Sequence, residues 1–175
     1  MKKTILPLMF LLFACYTVKT IPLKGKYPDT PIVYTSEKSF NEVWDNIIDL
    51  FAQRGLSIKI IDRTSGLIIS DKSKLSYSFE NKKGFIAHPD AYVVLQMIMD
   101  NYSDKPFRPE IVTGEWNIRI KAVDGKTSIN INLNNIYATY GAAYYSTYSH
   151  SVVQPVDVRG VTTGVFEKSI FDIVK

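Results

Sequence analysis

The sequence is short of the residues on which most chemistry depends. Among its 175 residues there is one cysteine, and there are two histidines, His88 and His150. A single thiol cannot close an intramolecular disulfide. With two imidazoles at most, a zinc site would have to be completed by carboxylates, and no metal-ligand spacing of that kind occurs. Nucleophile elbows of the form G-x-S-x-G, P-loops and G-x-G-x-x-G fingerprints are missing. Gly160 and Gly164, which flank a short Val-Thr-Thr run, are expected to turn the chain into a last helix. Asp62, Asp71, Glu80, Asp90 and Asp100 are scattered, and isolated carboxylates of this sort read as solvated surface groups. The expectation is a non-enzymatic chain with no metal and no cofactor.

Charge of one sign is scarce as well. The formal net charge is +4, but Lys2 and Lys3 sit in an amino-terminal segment that reads as an export signal. From residue 15 onward, 19 basic residues face 17 acidic ones, with no cluster. Nucleic-acid binding needs a concentrated basic footprint, so it is not expected. Long apolar runs are lacking too. The longest, Ile5 to Ala14, is interrupted only by Pro7. Ten helical residues span about 15 Å, half of the ~30 Å hydrocarbon thickness of a bilayer.

What is present begins with that run. Behind the positive Met1-Lys2-Lys3 it has the length of a signal-peptide apolar region. It ends in Leu12-Phe13-Ala14-Cys15, which resembles the lipobox of bacterial lipoproteins: an aliphatic residue, a variable one, a small one, then the cysteine that receives lipid. The resemblance implies cleavage after Ala14 and acylation of Cys15, with enough acyl chains for stable anchoring. Tyr16 follows the cysteine. In lipoproteins sorted by the residue at this position, the lack of Asp directs the protein to the outer membrane. Residues 1–14 are thus expected to be signal peptide. Residues 15–31, with Pro22, Pro28 and Pro31 among Lys19, Lys24 and Lys26, are expected to form a flexible tether.

The remaining 32–175 reads as one α+β domain. Ser39 and Glu42 have capping-box spacing, and Phe40, Val43, Trp44, Ile47, Ile48 and Phe51 fall on one helical face, with Gly55 placed to end the helix. Strand alternation follows at Leu56-Ile58-Ile60, a turn at Arg63-Thr64-Ser65-Gly66, and a return through Leu67 and Ile69. Leu75, Tyr77 and Phe79 alternate again, and Tyr92 to Met99 reads as a central strand. Trp116, Ile118 and Ile120 alternate up to Asp124-Gly125, a favoured two-residue hairpin turn, and Ile129, Ile131 and Leu133 return. The phase then slips at Asn134-Asn135, the mark of a bulge or a strand end. A short helix from about Gly164 to Val174 closes the chain, with Phe166, Ile170, Phe171 and Val174 on its buried side. The predicted architecture is an antiparallel sheet with a long N-terminal helix and a short C-terminal helix packed on one face. Trp44 and Trp116 lie on faces that read as core.

Ser39-Phe40-x-x-Val43-Trp44, then Ile58-x-x-Ile61-Asp62-Arg63-x-Ser65-Gly66-Leu67-Ile68, and finally Thr163-Gly164-Val165-Phe166-Glu167 resemble small bacterial lipoproteins with a BamC-like domain. The resemblance spans roughly residues 36–72 and 114–175. It implies a helix-grip fold, in which a sheet grips a helix. BamC is an accessory lipoprotein of the outer-membrane β-barrel assembly machine and has two such domains, where this chain has one. The resemblance transfers no functional residue.

One segment has the composition of a binding loop. Between Tyr137 and His150, five of the eleven tyrosines lie among Gly, Ala, Ser and Thr, a pairing of large amphipathic rings with a pliable backbone. Tyr140, Tyr144, Tyr145 and Tyr148 are therefore the candidate binding residues, and Cys15 the lipidation site. The expected role is a membrane-anchored envelope protein that docks onto a protein partner. The alternative is a binding module for a small molecule, a glycan or a peptidoglycan fragment.

Overall fold

A computed structural model of the protein describes residues 18–100, 106–140 and 156–175. Over these residues the fold is mixed α+β, with mostly antiparallel sheets and two helices. Its backbone is a long hairpin, β9 (Ile111–Val123) and β10 (Lys126–Thr139). Asp124 and Gly125 both take positive φ, 50° and 78°, the conformation that lets a two-residue turn follow strand twist. The register runs unbroken from Val123↔Lys126 to Glu115↔Asn134, then shifts before Thr113↔Tyr137. Asn135, at φ 53°, marks that bulge, as the slip in alternation predicts.

Other strands flank this hairpin in one seven-stranded sheet. β2 (Ile32–Ser36) and β11 (Val156–Asp157) pair with successive parts of β10. On the other side, β4 (Leu67–Ser70) and β5 (Ser73–Lys74) pair with β9, and β3 (Ile58–Asp62) forms the edge beyond β4. The β3–β4 turn needs glycine. Gly66 lies at φ +71°, and a Cβ there would meet the Ile120 carbonyl oxygen at 1.9 Å, well inside contact distance.

The helices confirm much of the local pattern. α1 (Phe40–Gln53) carries the expected capping box, in which the Ser39 hydroxyl accepts from the Glu42 backbone and the Glu42 carboxylate accepts from the Ser39 backbone. Gly55 takes φ +64° just past the end. Val43, Trp44, Ile47, Leu50 and Phe51 are buried. α2 (Val165–Val174) buries Phe166, Ile170 and Val174. Phe166 lies flat on Trp116, with ring centroids 3.9 Å apart, and against Phe51 at 6.4 Å. Trp116, Ile118, Ile120, Ile129 and Ile131 are almost fully buried in the same core. Among the described residues no helix is long and apolar enough to cross a membrane.

Three expectations need correction. The first helix is neither long nor N-terminal. It has 14 residues and follows two strands, β1 (Val18–Ile21) and β2. Part of the expected tether is regular structure, because β1 pairs antiparallel with β8 (Met97–Asp100). The prolines fall after β1, where they do not interrupt its hydrogen bonds. The single strand expected from Tyr92 to Met99 is two strands, divided at Gln96. β7 (Val93–Leu95) lies between β12 (Gly160–Thr162) and β6 (Tyr77–Ser78) in a three-stranded sheet, whereas β8 leaves to join β1. An apolar run does not reveal where a strand changes partner.

Candidate functional site

The sequence-derived candidates separate. Cys15, Tyr144, Tyr145 and Tyr148 lie outside the described residues. Tyr140 is in the core, at 4% exposure, so it is not a surface contact residue. The cause is the bulge. Its extra residue reverses which positions face inward, so burial passes from Ile131 and Leu133 to Ala138 and Tyr140. Trp44 and Trp116 are buried at 4% and 0%, as their periodicity predicts. His88 is exposed and lines a hollow of about 450 Å³ with Tyr77 and Arg108. Among the described residues no three His, Cys, Asp or Glu side chains come together as metal ligands would.

Two neighbouring hollows are built instead around a segment that the sequence presents as spacer. Residues 22–25 leave β1 and run between two hollows, with Pro22 and Leu23 lining both. The first hollow, of about 520 Å³, lies against the bulge and is lined by Gln96, Asn134, Asn135, Ile136 and the stretch from Val158 to Val161. The bulge is held from below, where the Asn135 amide donates to Glu115 Oε2 at 2.9 Å and Lys59 lies 3.6 Å from Glu115 Oε1. Amide groups and Arg159 stand on the rim of an apolar floor, an arrangement suited to hydrogen-bonding a small polar molecule.

The second hollow, of about 430 Å³, has mainly apolar walls, with Ile21, Leu23, Leu95, Met97 and Met99. Met97 and Met99 are two residues apart on β8, so strand alternation puts them on one face, and Leu95 at the end of β7 completes the wall. Lys24, Glu80, Asn81 and Lys82 form the rim.

Glu80 joins these parts. Its carboxylate accepts from the backbone N–H groups of Lys24 and Gly25, each at 2.8 Å, and from the Tyr27 hydroxyl. Burial alone would raise its pKa, but these three donors outweigh it and hold the carboxyl below its usual range. The same contact acts in reverse on Tyr27, whose phenol is pushed up by burial first and then by its bond to the Glu80 carboxylate. Beyond Glu80 the chain makes a tight loop. Asn81 Oδ1 accepts from the backbone of Lys83 and Phe85, at 2.8 and 3.1 Å, and Gly84 turns at φ +85°. The Lys24 ammonium donates to the Lys82 carbonyl at 3.2 Å, so the loop and the N-terminal segment are held together at two points. Phe85, at the loop's end, is 66% exposed.

Composition gave no sign of this site, because its residues come from three remote stretches. Glu80, 56 positions from Lys24, could have been flagged only as a lone acid before a Lys-Lys-Gly turn. Compared with known proteins, the chain matches no family model, and no curated protein matches it significantly.

Proposed function

We propose that this chain is a lipid-anchored protein of the bacterial cell envelope, carried on Cys15 and sorted to the outer membrane. Its domain is a non-enzymatic module that docks onto another envelope protein. The observation that carries the reading is Leu12-Phe13-Ala14-Cys15 at the end of a ten-residue apolar run behind two lysines, since peptidase and acyltransferase both require that order of residue sizes. Val18 to Ile21 are paired in the β1–β8 ribbon, three residues from Cys15, which leaves the domain close to such an anchor. The finer arrangement we propose is the helix grip of BamC-like domains, with both helices on one face of the large sheet. The contacts of Phe51 with Phe166 and of Tyr34 with Phe171, 4.7 Å between centroids, support it.

A second reading, a binding module for a small molecule, glycan or peptidoglycan fragment, is favoured by the hollow at the bulge. Its volume of about 520 Å³ falls within the ordinary range for ligand sites.

Intact mass of the membrane-extracted protein tests the anchor. A mature chain that begins at Cys15 and carries acyl chains is expected, and Cys15→Ser should block processing. A mature chain that starts elsewhere without lipid overturns the reading. Crosslinking in the native envelope followed by mass spectrometry tests the docking role. A titration with soluble muropeptides that perturbs the amides of Asn134 to Ile136 would favour the second reading instead.

A further inference from the structure

We infer that the face made by the second hollow and the Phe85 loop is a membrane-contact surface, which rests on the hydrocarbon and anionic headgroups of the leaflet that holds the chain. This deepens the proposed anchoring and rests on it in one respect, the position of the lipid at Cys15.

Three observations converge on this face. The first is reach. Cys15 is three residues from Val18, which is paired with Asp100, and three extended residues cover at most about 10 Å. A lipid at Cys15 therefore keeps the β1–β8 ribbon within about one headgroup layer of the bilayer and limits which faces can turn toward it. The second is the ribbon's own surface. Met97 and Met99 line the hollow along the ribbon, and the hollow continues past Leu23 to Lys82. The apolar floor thus extends from near the anchor to the loop. The third is the loop itself. Phe85 is the most exposed of the large apolar side chains of the described residues, at 66%, and it follows directly on Lys82, Lys83 and Gly84.

An exposed phenylalanine beside lysines is poorly suited to water and well suited to an interface where a ring enters the acyl boundary while ammonium groups remain among phosphates. Lys19 lies directly across from Met99 in the ribbon, so it shares that face. Lys24 and Lys82 line the hollow and Lys83 follows Lys82 in the loop, while Glu80 is the one carboxylate among the residues that line it. Glu80 is satisfied by Lys24, Gly25 and Tyr27. The loop does not need to find its orientation on binding, because Glu80 and the Lys24–Lys82 bond already fix it to the segment that leads from the anchor.

The test uses the full chain, extracted from membranes and reconstituted into vesicles of phosphatidylethanolamine and phosphatidylglycerol with brominated acyl chains. In the Phe85→Trp variant the added indole should be blue-shifted and quenched by bromine beyond the parent chain, whose Trp44 and Trp116 are buried. Adding Lys82→Glu and Lys83→Glu should abolish that extra quenching, as should vesicles of unbrominated lipid. A reporter at Val123→Trp should stay unquenched. Val123 pairs with Lys126 at the hairpin turn, about 27 Å along β10 from the Asn134 side of the hollows at ordinary strand rise. All these positions are exposed, and an unchanged melting midpoint would show that each variant folds.

Intact mass of the same samples reads acylation separately. Acylated protein with an unquenched reporter at 85 overturns the surface and leaves the lipoprotein reading standing. Quenching in a preparation that carries no acyl chain supports the surface and overturns the anchor. If the reporter is unquenched in vesicles but a photocrosslinker at 85 captures a protein in the native envelope, the lipid assignment is wrong and the face belongs to a protein partner.

Discussion

The two halves of this molecule are held together by different physics. In the large sheet with its helices, cohesion comes from a continuous apolar core of Trp116, Phe166, Phe51 and the isoleucines of β9 and β10. Between the N-terminal segment and the Phe85 loop, the join is made by a few polar bonds, most of which meet at one carboxylate, Glu80. A core of many small contacts is redundant, and losing one side chain weakens it in proportion to the area and cavity involved. A polar node has less redundancy, and losing it leaves the Lys24–Lys82 bond as the remaining tie between the two segments.

The largest expected effect probes the first half. Trp116 is fully buried, stacks on Phe166 and meets Tyr92 edge-on at 6.3 Å. Trp116→Ala should cost about 3–5 kcal/mol in denaturant melts through lost burial and a cavity. A loss below about 1 kcal/mol would mean that the core is not the unit described. The indole Nε1 has no partner among the described groups, so Trp116→Phe should be much milder.

Glu80→Gln probes the second half, and a loss of about 1–3 kcal/mol is expected for hydrogen bonds to a charged acceptor. Its signature is local. Amide exchange should rise at Lys24 and Gly25, while protection along β9 and β10 is retained. The pH dependence has a definite sign. Because the folded state holds the Glu80 pKa below its unfolded value, its contribution is present above the ordinary carboxylate range. It is lost as pH falls through the depressed value. Acid should therefore loosen the N-terminal segment in the parent chain but not in Glu80→Gln. If the two chains lose protection there at the same pH, Glu80 is not the node.

The smallest effect concerns a carboxyl in the opposite situation. Glu167 on α2 is fully buried, with one oxygen accepting from the Thr162 hydroxyl at 2.6 Å and Oε2 without a partner among the described residues. Burial raises its pKa more than the Thr162 bond lowers it. A raised folded pKa gives stability that is complete below the unfolded value and declines as pH rises toward the folded one. Glu167→Gln keeps an acceptor for Thr162 and removes the buried charge. It should gain on the order of 1 kcal/mol at neutral pH and lose that advantage under acid. A neutral-pH melting midpoint equal to or below the parent's would sink this account.

Legibility follows the same division. α1 could be read from its capping box and apolar stripe, and the β9–β10 hairpin from alternation and Asp124-Gly125, because the signals lie within one turn or a few residues of what they specify. β1 could not. Four residues, Val18 to Ile21, carry no pattern of their own and become a strand only by pairing with Met97 to Asp100. The hollows were hidden for the same reason, since Lys24, Glu80 and Met97 meet only after the ribbon and the loop have formed. Tyr140 is the most instructive case. Its neighbours suggested a binding loop, but the extra residue at Asn135 had already reversed the strand's inward phase.

By itself, then, the sequence determined where helices begin and end, where the long hairpin turns, where its alternation slips, and which large side chains must leave water. Each of these is a local matter of backbone conformation and of periodicity against one apolar face. Only the tertiary structure decided that an apparent spacer becomes a paired strand, that one apolar run serves two sheets, and that a lone glutamate ties the amino-terminal segment to an exposed Phe-Lys loop. Those outcomes depend on contacts between residues more than fifty positions apart, where the gain is realised only once both partners are held in place.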